Sequence, residues 1–209
     1  YKYFQSLQNF AAVDLSSFYL DIVKDRLYTA GKKSLSRRAC QTVLFENRGL
    51  GDVYKRQVMP HQAEDIWQNV PEVQRGGLVS ILLSDWPVVN EKWNNPELEA
   101  DFTKILKSRE VVSRAIEPLR ADKKVGSSLE VAVTVKADED SVLKANEKDL
   151  ADIYIVSQAN LADEKPSDVL NEYSEEGYTV WVTKAHGEKC TRCWKYRELN
   201  EDGICPCLL

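Results

Sequence analysis

The stretch GSSLEVAVTV, residues 126–135, divides the chain into two kinds of structure. From Leu129 to Val135 every second residue is Leu or Val, and this period of two predicts a half-buried β-strand. Before Gly126 the apolar residues recur at helical spacing instead. We therefore expect a mainly α chain, in which a helical part ends near Gly126 and a small α+β part follows.

Two long helices are predicted in the first part. The residues from Tyr3 to Leu27 form an amphipathic pattern that predicts one helix with a single buried face. The apolar positions of that face are Phe4, Leu7, Ala11, Leu15, Phe18 and Ile22. A second pattern runs from Pro96 to Lys124, where Pro118 is expected to kink or interrupt the helix. Its buried side comprises Phe102, Ile105, Val112, Ile116 and Leu119.

A shorter helix is predicted to begin at Met59-Pro60-His61, because proline is favoured in a first turn, and to bury Ile66 and Trp67. The segment before it, ENRGLGDVYKRQ at residues 46–57, contains two glycines and no apolar face, although the flanking residues favour a continuing helix. Glycine inside a helix costs ~1 kcal/mol relative to alanine. We expect a loop, a break in the helix, or sequence that does not belong to the native chain.

The α+β part contains two further predicted strands, at Ile153 to Val156 and at Tyr178 to Val182. A short helix is predicted between the first two strands, at Ser141 to Asn146. The patterns together predict three domains, namely a helical domain at residues 1–125, a small α+β domain at residues 126–186 and a cysteine-rich module at residues 187–209.

Length and composition indicate a globular protein with a core of its own. The 209 residues are 43% hydrophobic and 29% charged, as is usual for globular chains. No apolar run reaches the length of a membrane span, and the first residues lack a signal pattern. Four of the five cysteines are clustered like metal ligands, which favours a reducing compartment, so we expect a cytoplasmic protein without a membrane partner. Because the chain begins with Tyr1, already in a helical pattern, we expect a piece of a longer protein.

Four cysteines near the C-terminus predict a metal site. Two residues separate Cys190 from Cys193, and one residue separates Cys205 from Cys207. Four thiolates in two close pairs favour tetrahedral zinc and leave no open position for catalysis, so one structural zinc ion is predicted. The second pair is one residue tighter than usual, and His186 is an alternative ligand if that pair cannot close. Disulfide or redox chemistry is the remaining alternative.

Charge is unevenly distributed along the chain, whose net charge is −5. Residues 24–38 contain six basic residues and one acid, and residues 189–197 contain four basic residues and no acid. Residues 136–176 contain twelve acids and four lysines. A polyanion would be attracted to the two basic segments and repelled by the acidic one, although solvated surface charge explains either basic segment taken alone equally well.

Aromatic residues alternate with cations beside the cysteines. Trp194 and Tyr196 alternate with Arg192, Lys195 and Arg197. Exposed aromatic side chains can stack on unpaired bases while neighbouring cations bind the phosphate backbone. The alternative is that Trp194 packs over the metal site, as the core of a module too small to have another.

Several local sequences carry a resemblance to a known family. They are DLSSFYLDIVKDRLY at residues 14–28, MPHQAEDIW at residues 59–67, GSSLE at residues 126–130 and KCTRCW at residues 189–194. In this order they closely resemble the C-terminal third of bacterial-type isoleucyl-tRNA synthetases, and the resemblance covers nearly the whole chain. The helical motifs are shared in part with valyl and leucyl relatives, whereas the cysteine module is typical of the isoleucyl branch.

The resemblance implies a class I synthetase that activates isoleucine with ATP and magnesium and esterifies it to its tRNA, with no catalytic residue in this chain. The helical part would be the anticodon-binding domain, followed by a junction domain and the zinc module. The expected partner is the anticodon stem-loop of isoleucine tRNA, and neither DNA binding nor self-association is expected. The expected tRNA-binding residues are Lys24, Arg26, Lys32, Lys33, Arg37, Arg38, Arg192, Trp194 and Lys195. A freestanding zinc-stabilised RNA-binding module without catalysis is the main alternative, and a thiol redox protein is a third.

Overall fold

The computed structural model describes residues 2–85, 88, 90–137, 141–201 and 203–205. The chain divides into two compact units, one of residues 1–31 with 95–209 and the other of residues 32–94. Within the described residues, no helix is long and apolar enough to cross a membrane. The division differs from the one that the sequence predicts, because the first helix and the α+β part belong to the same unit; the boundaries near residues 125 and 186 stay predictions.

Most of the described residues outside loops are helical. A π-helical segment, Phe10–Leu20, lies between the first two helices of the chain. The helices in chain order are α1 (Lys2–Asn9), α2 (Asp21–Tyr28), α3 (Leu35–Val58), α4 (Pro60–Gln68), α5 (Glu72–Arg75), α6 (Pro96–Ala121), α7 (Ser141–Ala145) and α8 (Glu147–Ile153). The strands in chain order are β1 (Val131–Ala137), β2 (Gln158–Leu161), β3 (Asn171–Glu175), β4 (Tyr178–Lys184), β5 (Glu188–Lys189) and β6 (Tyr196–Arg197).

The first helical run is continuous, as predicted, but its predicted face is not buried over the first half. On the predicted face, Phe4 and Ala11 are exposed, and complete burial begins only at Val23 in α2. The other positions of that face are half-buried, namely Leu7, Leu15, Phe18 and Ile22. In a π-helix each N–H bonds to the carbonyl five residues earlier, so the turn is wider than in an α-helix. Apolar residues spaced for an α-helix therefore do not stay on one face of this segment. The second half finds partners within its unit, where the Phe18 ring lies edge-on to Phe102 with centroids 6.5 Å apart.

In the unit of residues 32–94, helix α3 runs without a break from Leu35 to Val58. The expected loop or break at residues 46–57 is therefore wrong. Two glycines cost about 2 kcal/mol together, and helix formers such as Arg, Lys, Gln and Leu in the same segment favour propagation of a helix that is already nucleated. Whether the segment belongs to the native chain stays an open alternative.

Helix α4 begins with Pro60 in its first turn, as predicted. Trp67 is buried and donates from Nε1 to the carbonyl oxygen of Leu78 at 3.2 Å, while Ile66 is half-buried. The Glu64 carboxylate accepts hydrogen bonds from the Ser80 hydroxyl and the Ile81 N–H, which lower the pKa of this carboxyl. These contacts fix the residues after α5 against α4.

In the other unit, α6 provides one wall of the main core. Asn95 caps its first turn by accepting from the Leu98 N–H at 3.1 Å. The buried residues of α6 include Ile105, Val112, Ile116 and Leu119, as predicted, whereas Phe102 is 38% exposed. Pro118 does not interrupt the helix, which continues to Ala121.

The sheet has the strand order β2-β1-β4-β3, with β1 parallel to β2 and the other neighbouring strands antiparallel. Val131, Val133 and Val135 of β1 and Val180 and Val182 of β4 are almost completely buried. They form one apolar cluster with α6, with Leu143 of α7 and with Leu150 of α8. The change of period after Gly126 thus marks the central strand of the sheet.

The predicted strand at Ile153 to Val156 is wrong. Ile153 ends α8, and Ile155 adopts a left-handed φ of +57° in the turn that follows. A short apolar run cannot be assigned to helix or strand by period alone, and here Leu150 and Ile153 continue a helical face into the core. The neighbouring strand is β2, one residue after Ser157, and the edge strand β3 was not predicted. The predictions at Tyr178 to Val182 and Ser141 to Asn146 are confirmed as β4 and α7.

Candidate metal centre and nucleic-acid interface

The cysteine-rich module brings three sulfurs together. The Sγ atoms of Cys190, Cys193 and Cys205 all lie within 4.8 Å of one another and are buried. Leu199 and Ile204 pack against them. The fourth predicted ligand, Cys207, lies outside the described residues. Among the described residues, the ligand cluster does not include His186, which is exposed and bonds to Gln158 through its backbone.

A short hairpin places the first two cysteines. Strands β5 and β6 pair around the turn, and the Cys190 N–H donates to the Lys195 carbonyl at 2.9 Å. The chain then reverses tightly, since the Trp194 N–H donates to the Cys190 carbonyl and Trp194 has a φ of +65°. At the start of the hairpin, Gly187 has a φ of +91°, and a Cβ there would lie 2.5 Å from the Arg197 carbonyl oxygen.

Backbone N–H groups converge on the Cys190 sulfur. Burial raises the pKa of this thiol, and N–H groups of Cys193, Cys205 and Arg192 lower it by more, to about 7. The Cys205 N–H lies 3.5 Å from the sulfur. Burial raises the pKa of Cys193, whose own sulfur lies 3.4 Å from that of Cys205. Donors aimed at a sulfur stabilise a thiolate, which is the form that binds metal.

The oxidation state of the cysteines affects what they can bind. Cys190 and Cys193 are reduced cysteines. Cys40 is also reduced, and it is buried as a small core residue. Sulfur ligands bind a metal only as thiolates. The three sulfurs could therefore hold a metal ion together as thiolates.

Polar side chains of the α+β part hold the module in place, and sequence reasoning missed them. The buried Ser157 hydroxyl accepts from the Tyr196 N–H at 2.7 Å and donates to the Leu129 carbonyl. The Gln158 amide donates to the carbonyls of His186 and Tyr196 and accepts from the His186 N–H. No local pattern marks these residues, because their partners are 28 to 39 residues away along the chain.

An ion-pair cluster connects the module to two helices. Lys195 is 4% exposed, and its ammonium donates to Asp152 of α8. The Arg26 guanidinium of α2 lies 2.5 Å from Asp149 and 3.8 Å from the second oxygen of Asp152. Burial raises the pKa of the neighbouring Asp25 carboxyl, while Lys195 and other cations oppose that rise. Lys195 and Arg26 therefore have structural partners, and their predicted contact with RNA stays a prediction.

The other predicted RNA-binding cations of the first basic segment lie on α2 or at the start of α3. Lys24 pairs with Asp21 at 3.1 Å on the surface of α2. Lys32, Lys33 and Arg38 are exposed and Arg37 is half-buried, at the N-terminal end of α3 in the other unit. A helix N-terminus carries a partial positive charge, so four cations there make a strongly anion-attracting end.

Trp194 is 61% exposed and does not cover the metal site, since Leu199 and Ile204 do so. The alternative in which Trp194 forms the module core is therefore wrong. The Lys189 ammonium lies 6.0 Å from the centroid of the Trp194 ring. Arg192 is exposed and donates from Nη2 to the Tyr28 carbonyl at 3.4 Å. An exposed aromatic ring with a cation near its face has the chemistry to bind an unpaired nucleotide.

Comparison with known proteins gives one family and a consistent set of relatives. The family described as the anticodon-binding domain of tRNA ligase matches residues 1–135. The chain is 40% identical to a protein of Gloeobacter violaceus named isoleucine–tRNA ligase, over 99% of this chain and 21% of that protein. Proteins with the same name from Prochlorococcus marinus strain NATL1A and Natranaerobius thermophilus are 38% and 36% identical, over 93% and 99% of this chain.

The chain spans about a fifth of the length of the curated relatives it matches, 21% to 23% in these three. The family match includes the helical motifs that carry the resemblance, the long helix α6 and most of β1. It covers well over half of the chain. The chain therefore belongs to the family of anticodon-binding domains of tRNA ligases.

Proposed function

We propose that this chain is the tRNA-binding part of an isoleucine–tRNA ligase and that it binds the anticodon stem-loop of isoleucine tRNA. The observation that carries the proposal is the family match over residues 1–135, together with relatives that share the name isoleucine–tRNA ligase over nearly the whole chain. These relatives favour a ligase over a freestanding RNA-binding module. Activation of isoleucine with ATP and magnesium, and its transfer to tRNA, belong in this proposal to parts of the longer protein.

The proposed cofactor is one structural zinc ion held by Cys190, Cys193, Cys205 and Cys207. Thiolates prefer zinc to magnesium or calcium, and a site closed by four of them has no position for substrate. The buried sulfurs and the N–H groups around Cys190 support this proposal. Zinc would fix the irregular chain between the two cysteine pairs, so that Arg192 and Trp194 meet RNA in one arrangement.

The proposed RNA contacts are the cations of the two basic segments and the Trp194 ring. Phosphate contacts by lysine and arginine supply sequence-independent affinity, and stacking on unpaired bases adds to it. The proposed cations are Lys24, Arg26, Lys32, Lys33, Arg37, Arg38, Arg192 and Lys195. We further propose a helical anticodon-binding domain at residues 1–125, a junction domain at residues 126–186 and a zinc module at residues 187–209, in a monomeric cytoplasmic protein that acts in protein biosynthesis.

The decisive experiment measures binding of the chain to isoleucine tRNA and to the same tRNA with its anticodon replaced, over a series of salt concentrations. We expect tighter binding to the unaltered tRNA and a linear fall of log affinity with log salt concentration. Arg192→Ala should lower affinity about tenfold and make the salt slope shallower by about one phosphate contact. Lys165→Ala is the matched control, because Lys165 is an exposed lysine of the acidic segment that pairs with Glu172. Equal affinity for both tRNAs would refute the proposed specificity.

A further inference from the structure

The cysteine-rich module is held by two sets of hydrogen bonds, of which the inner set lies within the module itself. The Cys190 N–H donates to the Lys195 carbonyl, and the Asn200 N–H donates to the Ile204 carbonyl. The Cys205 N–H lies 3.5 Å from the Cys190 sulfur. Both partners of each of these contacts lie between residues 190 and 205, so they shape the segment that carries the cysteines.

The outer set joins the module to the sheet, and Gln158 has a central place in it. Gln158 is the first residue of β2, a strand at the edge of the sheet. Its Nε2 donates to the carbonyl oxygens of His186 at 2.8 Å and of Tyr196 at 2.9 Å, and its Oε1 accepts from the His186 N–H at 3.0 Å. His186 precedes β5 and Tyr196 lies in β6, so one side chain bonds to both arms of the hairpin.

Three further contacts of the module start from Arg192, Lys195 and Tyr196, which lie in the turn and in β6. Of all these contacts, the one made by Gln158 is the contact that fixes the chain ahead of β5. The next residue there is Gly187, and glycine restricts backbone rotation least. Without Gln158, the hairpin could therefore turn about its second arm.

We propose that Gln158 is a positioning residue, which sets the orientation of the cysteine-rich module on the sheet but takes no part in its metal site. The proposal rests on the proposed function, because the residues that Gln158 would orient are the proposed RNA contacts Arg192 and Trp194. Both lie in the turn between β5 and β6, so a rotation of the hairpin moves them together. A surface that is fixed before binding loses less entropy when RNA binds.

Metal binding and orientation are separable because the inner and outer contacts share no side chain. The apolar cover of the three sulfurs is also internal, since Leu199 and Ile204 belong to the module. Loss of the Gln158 amide therefore leaves the cysteines and their cover in place while it frees the hairpin to turn. A residue that only stabilised the module would instead affect zinc affinity and RNA affinity together.

The variant that isolates this role is Gln158→Glu. Its side chain has the same size and can still accept from the His186 N–H, but it has lost both N–H donors, so a charged oxygen faces two carbonyl oxygens. Asn160→Asp is the matched control, because Asn160 is an exposed residue two positions further along β2. It introduces the same charge on the same side of the strand, about 7 Å away.

The first measurements compare zinc affinity and RNA affinity of the reduced, zinc-loaded chain. Zinc affinity is measured by competition with a chromogenic chelator, and the RNA is an anticodon stem-loop of isoleucine tRNA. Gln158→Glu should keep zinc affinity within about twofold of the wild type, while its affinity for the stem-loop falls about tenfold. Asn160→Asp should stay within about twofold of the wild type in both measurements.

Residual dipolar couplings of the backbone N–H groups measure the orientation directly and need no RNA. In the zinc-loaded wild type, the amides of the β5–β6 hairpin and those of β1 and β4 should fit one alignment tensor. In Gln158→Glu the hairpin amides should require a second, weaker tensor. The amides of β1 and β4 should keep theirs, which also shows that the variant is folded.

The outcomes distinguish this proposal from the proposed function. The role of Gln158 is refuted if Gln158→Glu keeps a single tensor, if it binds the stem-loop like the wild type, or if its zinc affinity falls in step with its RNA affinity. The proposed function then still stands, provided that the wild type binds the stem-loop more tightly than the same RNA with its anticodon replaced. If the wild type binds both RNAs equally, the proposed function is wrong, while the couplings still decide whether Gln158 orients the module.

Discussion

At the scale of single residues, Gly187 shows how one backbone position decides the shape of the cysteine-rich module. It stands immediately before β5, with a φ of +91° that residues with a side chain rarely adopt. A Cβ at this position would lie 2.5 Å from the Arg197 carbonyl oxygen, which is backbone and cannot rotate away. The hairpin that carries Cys190 therefore needs a residue without a side chain here.

The expected effect of Gly187→Ala is a weaker metal site. The hairpin must open by several tenths of an ångström, at a cost of about 1–3 kcal/mol from strain alone. We expect zinc affinity to fall at least about fivefold, as measured by competition with a chromogenic chelator under reducing conditions. Gly203→Ala is the control, since Gly203 also has a positive φ, +70°, yet a Cβ there would meet no atom within 4 Å. An equal loss of zinc affinity in both variants would show that the close approach to Arg197 does not matter.

At the scale of elements, α2, α8 and the β5–β6 hairpin are joined through Asp152. Lys195 is 4% exposed, so its ammonium has little water to replace the carboxylate if that is removed. Breaking one side of a buried ion pair costs more than replacing both charges with apolar groups. The ion pair thus makes the position of the hairpin depend on a residue of α8 about 43 positions earlier.

A double-mutant cycle tests this dependence. Asp152→Ala should destabilise the chain by about 3 kcal/mol, and Lys195→Met by about 1 kcal/mol, since methionine fills the same space without a charge. The double variant should be more stable than Asp152→Ala, because no buried charge is left without a partner. The measurement is urea unfolding followed by circular dichroism. Lys165→Ala, at the exposed pair with Glu172, should change stability by less than about 1 kcal/mol. If the destabilisations by Asp152→Ala and Lys195→Met simply add in the double variant, the two side chains are not coupled.

The buried hydroxyl pair between α6 and α8 is a second link between elements. Ser108 and Tyr154 are almost completely buried, and their hydroxyl oxygens are 2.8 Å apart. Burial raises the pKa of Tyr154 to about 12. Because the folded pKa is higher than the ordinary value near 10, this tyrosine contributes stability below pH 10 that is lost as the pH rises toward 12.

Tyr154→Phe should therefore have two effects. It should cost about 1 kcal/mol at neutral pH, because one hydrogen bond is lost while Ser108 keeps its bond to the Ile105 carbonyl. It should also reduce the loss of stability between pH 10 and 12, measured by urea unfolding at a series of alkaline pH values. Tyr28→Phe, at a tyrosine 78% exposed, is the control for the other tyrosines. An unchanged alkaline slope in Tyr154→Phe would contradict the burial of an un-ionised phenol.

At the scale of the whole molecule, the sequence predicts those elements in which apolar residues recur with a clear helical or strand period. The long helix α6, α4 with its proline start, and the strands β1 and β4 follow from spacing alone. The π-helical segment does not, because its apolar spacing is also that of an α-helix, and the turn at Ile155 does not, because a β-branched residue rarely adopts a positive φ. The cysteines were found from their spacing, whereas Ser157 and Gln158 were not, since a docking contact between polar side chains leaves no local pattern.

The difference between the main hydrophobic core and the cysteine-rich module predicts how the molecule responds to loss of metal. Among the residues that the structure describes, the main cluster is built from α6, α7, α8, β1 and β4 and contains no cysteine, whereas Leu199 and Ile204 are the apolar residues that pack against the three sulfurs of the cysteine-rich module. Such a small apolar core cannot hold its fold without a metal, but the main core can.

Chelation of zinc from the reduced chain should therefore loosen the module and leave the rest folded. We expect hydrogen exchange to speed up at the amides of the β5–β6 hairpin, while the amides of β1 and β4 stay protected and the helical circular dichroism changes little. Affinity for the anticodon stem-loop should fall about tenfold and recover when zinc is returned, because Arg192 and Trp194 lose their fixed positions. Magnesium added in place of zinc should not restore it, since thiolates bind magnesium poorly. Cooperative loss of all helical signal on chelation would show instead that the two cores fold as one.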